Sequence, residues 1–143
     1  MKIAIGSDHA GFRLKGILKK YFTDYEFIDV GTTSEESVDY PDFAVLAGQK
    51  VVSGEVDAAI LICGTGIGIS ISANKIKGIR AALCTNEFMA EMSRRHNNAN
   101  VLALGGRVTG DDLAVRITGI WLKTSFDGGR HEKRVEKIGK IES

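Results

Sequence analysis

Short apolar runs alternate with longer helical patterns along almost the whole chain, and this alternation limits the possible folds more than any other feature. The segment between Phe12 and Phe22, for example, follows an apolar run and carries its apolar residues near helical spacing. The run from Ala58 to Ile62 is continuously apolar, which is typical of a strand buried on both faces. Strands that alternate with helices predict an α/β fold in which helices cover both faces of a parallel sheet.

Local composition predicts where these elements begin and end. Pro41 suits the first turn of a helix, where its missing N–H would have no partner, and Asn86 suits an N-cap. The strands are expected at residues 2–7, 26–30, 57–63, 79–84 and 100–104. The helices are expected at residues 10–22, 41–54, 66–76, 86–97, 111–123 and 129–141.

Length and charge narrow the class of protein. With 143 residues, the chain is expected to form one domain over 1–143. The 19 Lys and Arg against 18 Asp and Glu give a net charge of +1, which argues against nucleic acids and membrane surfaces as partners. Asp8 and His9 interrupt the first apolar run, so it does not resemble a signal peptide, and no run is long enough for a membrane helix. Two cysteines form no disulfide framework, and we expect a soluble, cytoplasmic protein.

The residues just beyond the strands are where function is expected, because ligands of parallel α/β sheets bind outside the carboxyl ends of the strands. Polar side chains and glycines follow four of the five predicted strands. They are Asp8 and His9, the run from Cys63 to Ser70, the run from Cys84 to Asn86, and the run from Gly105 to Arg107.

The run from Cys63 to Ser70 is the most informative of these. Its three glycines lie between a predicted strand and a predicted helix, where backbone N–H groups and the helix dipole can bind an anion. The spacing matches neither a P-loop nor a dinucleotide-binding motif, so a tight turn without a ligand is the alternative. A thiol at the N-terminus of a helix favours its reactive anion, which makes Cys63 a candidate nucleophile or base. The alternative is a small buried hydrophobic residue, the role that we expect for Cys84.

A metal site is not expected. Asp8, His9, Cys63 and His96 could in principle combine as ligands, but no ligand spacing in the sequence supports such a site. His96 also suits the C-terminus of a helix, where a cation interacts favourably with the dipole.

Two arginines in the charged tail are candidates for binding an anion. Arg130 and Arg134 lie one helical turn apart, so they share a helix face and could clamp a phosphate. Composition alone favours a solvated charged tail for the same residues.

Six separated segments carry a resemblance to a known family. They are IGSDHAGF (5–12), DVGT (29–32), DYP (39–41), GEVDAAILICGTGIGISISANKIKGIRAA (54–82), RRHNNANVLALGGRVTG (94–110) and GGRHEKRV (128–135). Through them the chain closely resembles the ribose-5-phosphate isomerase B family, which includes galactose-6-phosphate and allose-6-phosphate isomerases. The resemblance covers nearly the whole chain in order. Members of the family differ in the catalytic base, and this chain has the cysteine type.

The resemblance implies a fold, a reaction and an assembly. The implied fold is a Rossmann-like, three-layer α/β/α sandwich with a five-stranded parallel sheet, to which the C-terminal helix is added. The implied reaction interconverts ribose 5-phosphate and ribulose 5-phosphate in the pentose phosphate pathway, without a metal or an organic cofactor. The implied assembly is a homodimer with active sites shared between subunits, and such dimers can pair into tetramers.

Aldose–ketose isomerisation needs a base, donors for the developing enediolate oxyanion, a phosphate clamp and a group that opens the sugar ring. The resemblance makes Cys63 the base for the C2 proton and assigns ring opening to His96. It places the enediolate against the backbone of Gly64, Thr65, Gly66, Ile67 and Gly68, with Thr65 counted among the catalytic residues and Asn97 helping. It implies that Asp8 binds sugar hydroxyls, that Tyr40 lines the pocket, and that the phosphate binds to His9, Arg107, Arg130 and Arg134.

Three other functions are open at this point. A six-carbon phosphate such as allose 6-phosphate or galactose 6-phosphate would need a slightly longer pocket for the same reaction. A signalling receiver domain has a similar order of segments. It requires an aspartate at the end of the third strand and a lysine after the fifth, where this chain has Cys63 and Gly105. A nucleotide-binding stress protein would carry its glycine loop nearer the C-terminus.

Overall fold

The structure, a computed structural model, describes residues 1–142. Strands and helices alternate from the first strand to the fifth helix, as the sequence predicts, and a sixth helix follows. The strands are β1 (Lys2–Ser7), β2 (Glu26–Asp29), β3 (Ala58–Cys63), β4 (Ala81–Leu83) and β5 (Val101–Gly105). The helices are α1 (Phe12–Tyr21), α2 (Tyr40–Val52), α3 (Ile67–Asn74), α4 (Glu87–Arg95), α5 (Asp111–Lys123) and α6 (Arg130–Ile141).

All five strands are parallel and lie in the order β2-β1-β3-β5-β4. The predicted five-stranded parallel sheet is therefore confirmed. In the register of the sheet, Ser7 pairs with Ile62 and Cys63 pairs with Gly105. These pairings bring the carboxyl ends of β1, β3 and β5 to one edge, together with the loops that follow them.

Helices cover both faces of the sheet and give three layers. Leu18 of α1 and Trp121 of α5 pack with Ile60 on one face, while Ile69 of α3 packs with Leu61 on the other. Ile60 and Leu61 are both fully buried, so the continuously apolar run is buried on both faces, as predicted. The helix α6 lies outside these layers and buries only His131.

The predicted element boundaries agree with the structure within two residues. The side chain of Asn86 accepts the N–H of Met89 at 2.8 Å, so the predicted N-cap of α4 is confirmed; such a cap contributes about 1 kcal/mol. The strand predicted at 79–84 shortens to β4. At its start, the N–H of Arg80 donates to the side chain of Asn100 at 2.8 Å instead of joining the sheet.

Among residues 1–142, no helix is both long enough and apolar enough to cross a membrane.

Candidate active site

A cleft of about 480 Å³ opens at the carboxyl edge of the sheet. It lies between the loops that follow β1, β3 and β5 and the first turn of α2, which is the place that the parallel sheet predicts for a ligand. Nine of the residues singled out from the sequence line it. They are Asp8, His9, Tyr40, Cys63, Gly64, Thr65, Ile67, Gly68 and Arg107.

Cys63, the last residue of β3, lines this cleft. Its Sγ accepts the N–H of Gly66 at 3.2 Å, so the turn that follows the strand also orients the sulfur. Gly66 has a φ of 80°, and a Cβ there would lie 2.5 Å from Leu83 Cδ1 and 2.9 Å from the carbonyl carbon of Leu104. This position therefore requires glycine for its backbone conformation and for its close contacts.

The glycine turn presents backbone donors to the cleft. The Thr65 Oγ1 accepts the N–H of Ile67, the first residue of α3, at 3.1 Å. Within residues 1–142, the N–H groups of Gly64 and Thr65 donate to no acceptor. Backbone N–H groups in such a turn, next to a helix N-terminus, form an anion-binding concavity. Gly68 lies directly under the ring of Tyr40, because a Cβ on Gly68 would approach Tyr40 Cζ to 2.5 Å.

Asp8 offers one free carboxylate oxygen to the cleft. Its Oδ1 accepts the N–H groups of Ala10 at 2.9 Å and Gly11 at 3.2 Å, which fixes the side chain at the start of α1. Its Oδ2 accepts no hydrogen bond from residues 1–142. Asp8 as a whole is 4% exposed, so a hydroxyl donor from a ligand would satisfy the remaining oxygen.

The tautomer of His9 follows from its hydrogen bond. Its Nδ1 accepts the N–H of Val38 at 3.2 Å, so in the neutral ring the proton is on Nε2, which can donate to a ligand. Val38 belongs to the loop after β2, and the buried amine of Lys15 anchors that loop. The Nζ of Lys15 donates to the carbonyl of Thr32 at 2.5 Å and to Asp29 Oδ1 at 3.0 Å.

Asp29 is the ionised partner in this anchor. Burial on its own would raise the pKa of Asp29, but hydrogen bonds from Lys19, Lys15 and the N–H of Gly31 outweigh that effect. The pKa of the carboxyl group therefore lies below its ordinary value of 3.8.

Arg107 brings an uncompensated positive charge to the cleft. Its N–H donates to the carbonyl of Gly64 at 3.0 Å, which ties the loop after β5 to the glycine turn. No carboxylate within residues 1–142 forms an ion pair with Arg107. A free guanidinium in the cleft that His9 also lines suits an anionic group such as a phosphate.

The other predicted site residues lie away from this cleft in the single chain. His96 ends α4, and its ring stacks on His131 with centroids 4.2 Å apart and planes 11° apart. Asn97 lines a different cleft, of about 370 Å³, between β4 and α6. Arg130 and Arg134 are exposed on α6 next to His131. The ligand set considered from the sequence, which joined His96 to Asp8, His9 and Cys63, is not assembled within one chain.

The sequence analysis gave no role to His131, which the structure places against His96. Burial lowers the pKa of His131, and the neighbouring charges of His96, Arg130 and Arg134 lower it further. Its position between two arginines in the run GGRHEKRV was the available signal, but helical spacing alone does not show which distant residue the ring meets.

Comparisons with known proteins agree on one family. Residues 3–138 match the family model described as Ribose/Galactose Isomerase. The chain is 51% identical to the ribose-5-phosphate isomerase B of Escherichia coli over 99% of this chain and 96% of the relative. It is 43% identical to the D-erythrulose-4-phosphate isomerase of Pectobacterium atrosepticum, over 99% of this chain and 95% of that protein.

A solved structure shows the same fold. The ribose-5-phosphate isomerase B of Clostridium thermocellum superimposes with a TM-score of 0.98 at 60% identity, covering 99% of this chain and 97% of that one.

Proposed function

The chain belongs to the Ribose/Galactose Isomerase family, and from this premise we propose that it interconverts ribose 5-phosphate and ribulose 5-phosphate. The observation that carries the proposal is the cleft at the carboxyl edge of the sheet. It combines the thiol of Cys63, the free N–H groups of Gly64 and Thr65, and the free guanidinium of Arg107. These are the base, the oxyanion donors and part of the phosphate clamp that the reaction needs.

The proton moves between two neighbouring carbons of the open-chain sugar. The thiolate of Cys63 takes the proton from C2, and the electron pair of that C–H bond forms the double bond of the enediolate. The negative charge develops on the C1 oxygen, where the N–H groups of Gly64 and Thr65 can donate to it. The thiol then returns the proton to C1, and the proton of the C2 hydroxyl passes to the C1 oxygen, so that C2 becomes the carbonyl carbon of the ketose.

The ends of the substrate are bound by the polar residues at the rim. His9 donates from Nε2 and Arg107 supplies positive charge, so both suit the phosphate. The free oxygen of Asp8 suits a sugar hydroxyl, and Tyr40 closes the side of the cleft. Arg130 and Arg134 complete the phosphate clamp in this proposal. His96 opens the sugar ring, while Asn97 helps Gly66, Ile67 and Gly68 to hold the enediolate.

We also propose that two copies of the chain form each active site. The four residues at the end of α4 and on α6 that the reaction calls for lie outside the cleft of their own chain. Apolar side chains surround the cleft, with Ile67 52% and Ile71 56% exposed, and Ile138 of α6 is 40% exposed. A homodimer that covers these surfaces and brings α6 to the partner's cleft would supply the missing residues. Such dimers can pair into tetramers.

The chemistry of the reaction suggests which cofactors, cellular compartment and partners to assign to the protein. Moving a proton next to a carbonyl needs a base and oxyanion donors, both of which the cleft provides, so we assign no metal or organic cofactor to the reaction. Phosphorylated sugars are intracellular metabolites of the pentose phosphate pathway, and we place the protein in the cytoplasm. We assign it no nucleic-acid or membrane partner.

Sugar phosphates of other lengths are the second candidate substrates. The Pectobacterium relative is named for a four-carbon substrate, and the name of the family includes galactose. The base and the oxyanion donors would serve all these sugars, because the reacting carbons are the same. The distance from Cys63 to the phosphate clamp would differ.

Proton NMR of the protein with ribose 5-phosphate in deuterated water tests the proposal. We expect ribulose 5-phosphate to appear and deuterium to enter at the exchanging carbon. If neither conversion nor exchange occurs with ribose 5-phosphate, but both occur with erythrose 4-phosphate, allose 6-phosphate or galactose 6-phosphate, the substrate assignment is wrong and the reaction stands. Exchange with none of these sugars would overturn the isomerase proposal.

A further inference from the structure

A cluster of three metal-ligating side chains lies at the end of α4, outside the cleft of its own chain. His96 ends α4, Asp127 lies in the loop before α6, and His131 lies in the first turn of α6. One ligand atom from each of the three lies within 4.8 Å of the others. Two imidazoles and a carboxylate from three separate segments form a donor set that suits zinc and similar ions.

To coordinate an ion, the three ligand atoms must move closer together and one imidazole must rotate. Four-coordinate zinc holds nitrogen and oxygen ligands at about 2.0–2.2 Å, which places neighbouring ligand atoms roughly 3.4 Å apart. The rings of His96 and His131 are parallel, so one of them must rotate before both lone pairs point at one ion. His96 is partly exposed at the end of its helix, so its ring has room to rotate, and Asp127 is exposed in a loop.

The charges around the cluster restrict which ions can bind. The Nε of Arg95 donates to both carboxylate oxygens of Asp127, at 3.2 and 3.1 Å, and Arg130 and Arg134 lie close to His131. These positive groups oppose any cation. Hard ions such as Mg²⁺, whose binding depends on negatively charged oxygen ligands, are therefore excluded, whereas Zn²⁺, Cu²⁺ and Ni²⁺ gain from the two imidazoles.

We propose that His96, Asp127 and His131 form a regulatory site for zinc or a similar imidazole-binding divalent metal, and that the bound ion inhibits the enzyme. The inhibition rests on the proposed function, because coordination would remove His96 from ring opening and place a cation beside the arginines of the phosphate clamp. The metal is not a cofactor of the reaction.

Cobalt binding tests the site independently of any activity. The probe is Co²⁺ added to the Cys63→Ala/Cys84→Ala double variant, which has no thiol that could bind the metal. We expect the visible absorption bands of low-symmetry Co²⁺, and we expect Asp127→Asn to weaken Co²⁺ binding about tenfold or more. The matched control is Glu91→Gln, which removes the other carboxylate that pairs with Arg95 and leaves the three ligands in place. No Co²⁺ bands, or bands that Asp127→Asn leaves unchanged, would overturn the site.

Zinc inhibition tests the consequence. After treatment with a chelator, wild type, Asp127→Asn and Glu91→Gln are expected to turn over at the same rate. Added Zn²⁺ is expected to inhibit wild type and Glu91→Gln, whereas Asp127→Asn should need about ten times more Zn²⁺ for the same inhibition. Mg²⁺ is expected to have no effect.

Each pattern of results has one meaning. Equal zinc inhibition of all three proteins would assign the effect to Cys63 and would overturn the proposed inhibitory role. Cobalt binding without zinc inhibition would also overturn that role, and it would keep the site. Absent turnover before any metal is added would instead count against the proposed function.

Discussion

The amide N–H of Gly66 donates to the Sγ of Cys63 across 3.2 Å, so the turn that ends β3 also orients the thiol. The same turn leaves the N–H groups of Gly64 and Thr65 free beside the sulfur. The proposed base and the proposed oxyanion donors thus come from one short segment. Their relative position is fixed by a backbone conformation that only glycine adopts readily at residue 66.

Replacing Cys63 with alanine should strongly reduce turnover and retain substrate binding. The change removes the proposed base for the C2 proton, and loss of a positioned base lowers the rate by roughly 10²- to 10⁴-fold. The measurement is kcat with ribose 5-phosphate, combined with calorimetric binding of the same sugar. The matched control is Cys84→Ala. Burial raises the pKa of Cys84 to about 11, although its contact with Ser93 lowers it somewhat, so this thiol stays protonated and its loss should leave turnover unchanged. Full activity of Cys63→Ala would remove the residue from this role.

Replacing His96 with asparagine should impair only those substrates that form a ring. Ribose 5-phosphate closes a furanose ring through its C4 hydroxyl, whereas erythrose 4-phosphate carries its phosphate on that oxygen and cannot. We therefore expect kcat with ribose 5-phosphate to fall by about 10²-fold or more, and kcat with erythrose 4-phosphate to change little. The comparison requires that wild type accepts both sugars. An equal loss with both would show that His96 does not act through ring opening.

Replacing Arg134 with alanine should weaken binding far more than it slows the chemical step. A charge-assisted hydrogen bond to phosphate contributes about 1.5–3 kcal/mol, so KM should rise roughly 10- to 150-fold while kcat stays near wild type. Arg116→Ala is the control, because Arg116 is an exposed arginine on α5 and lies outside the proposed site. A large fall in kcat at saturating substrate, with KM unchanged, would contradict the clamp.

Mixing two inactive variants tests whether each active site combines two chains. Cys63→Ala and His96→Asn chains are unfolded together and refolded together, so that half of the dimers are mixed. A mixed dimer has one site with both substitutions and one site with neither. Random mixing should therefore restore about a quarter of the wild-type activity towards ribose 5-phosphate. Mixed dimers that form and show no recovery would place each site within a single chain. Either variant refolded alone is the control and should stay inactive.

Replacing Asp29 with asparagine should destabilise the fold at neutral pH and have much less effect in acid. The folded-state pKa of Asp29 lies below the ordinary value of 3.8, so its charge stabilises the fold above that pH. This stabilisation is lost as the pH falls through the folded-state pKa. We expect the free energy of unfolding at pH 7 to fall by about 1 kcal/mol. The loss is no larger because solvent screens the partly exposed carboxylate.

Urea unfolding at pH 7 and at pH 3 measures this difference, and it should shrink at the lower pH. Asp111→Asn is the control, since the partner of Asp111 is the exposed Arg13 and its loss should matter little. A difference that is equally large at both pH values would show that the charge of Asp29 is not what stabilises the fold.

Local patterns predicted most of the fold because local forces decide most of it. The helix predicted at 111–123 has those bounds, and the cap at Asn86 forms as expected. The strand predicted at 79–84 is present as the shorter β4, and at its start the side chain of Asn100, 20 residues away, accepts the N–H of Arg80. No local sequence pattern predicts a hydrogen-bond partner that lies so far away along the chain.

The sequence predicted which residues line the candidate site, but not the contacts between distant residues that position them. Position after a strand identified Cys63 and His9, which line the cleft. The same rule could not show that Val38 fixes the tautomer of His9, or that His131 stacks on His96, because these contacts join residues distant in the sequence. Lys15, on a helix face that sequence alone would leave to solvent, is buried because Asp29 and the carbonyl of Thr32 satisfy its amine.

The free donors of the glycine turn belong to the main chain, and this has a consequence for how the enzyme can diversify. Point mutation exchanges side chains, so mutating Thr65 would keep its N–H in place as long as the turn is kept. The proposed oxyanion donors are therefore less exposed to point mutation than the side chains on the wall of the cleft, such as Tyr40 and Ile71. Directed evolution towards longer or shorter sugars should therefore collect its changes on that wall.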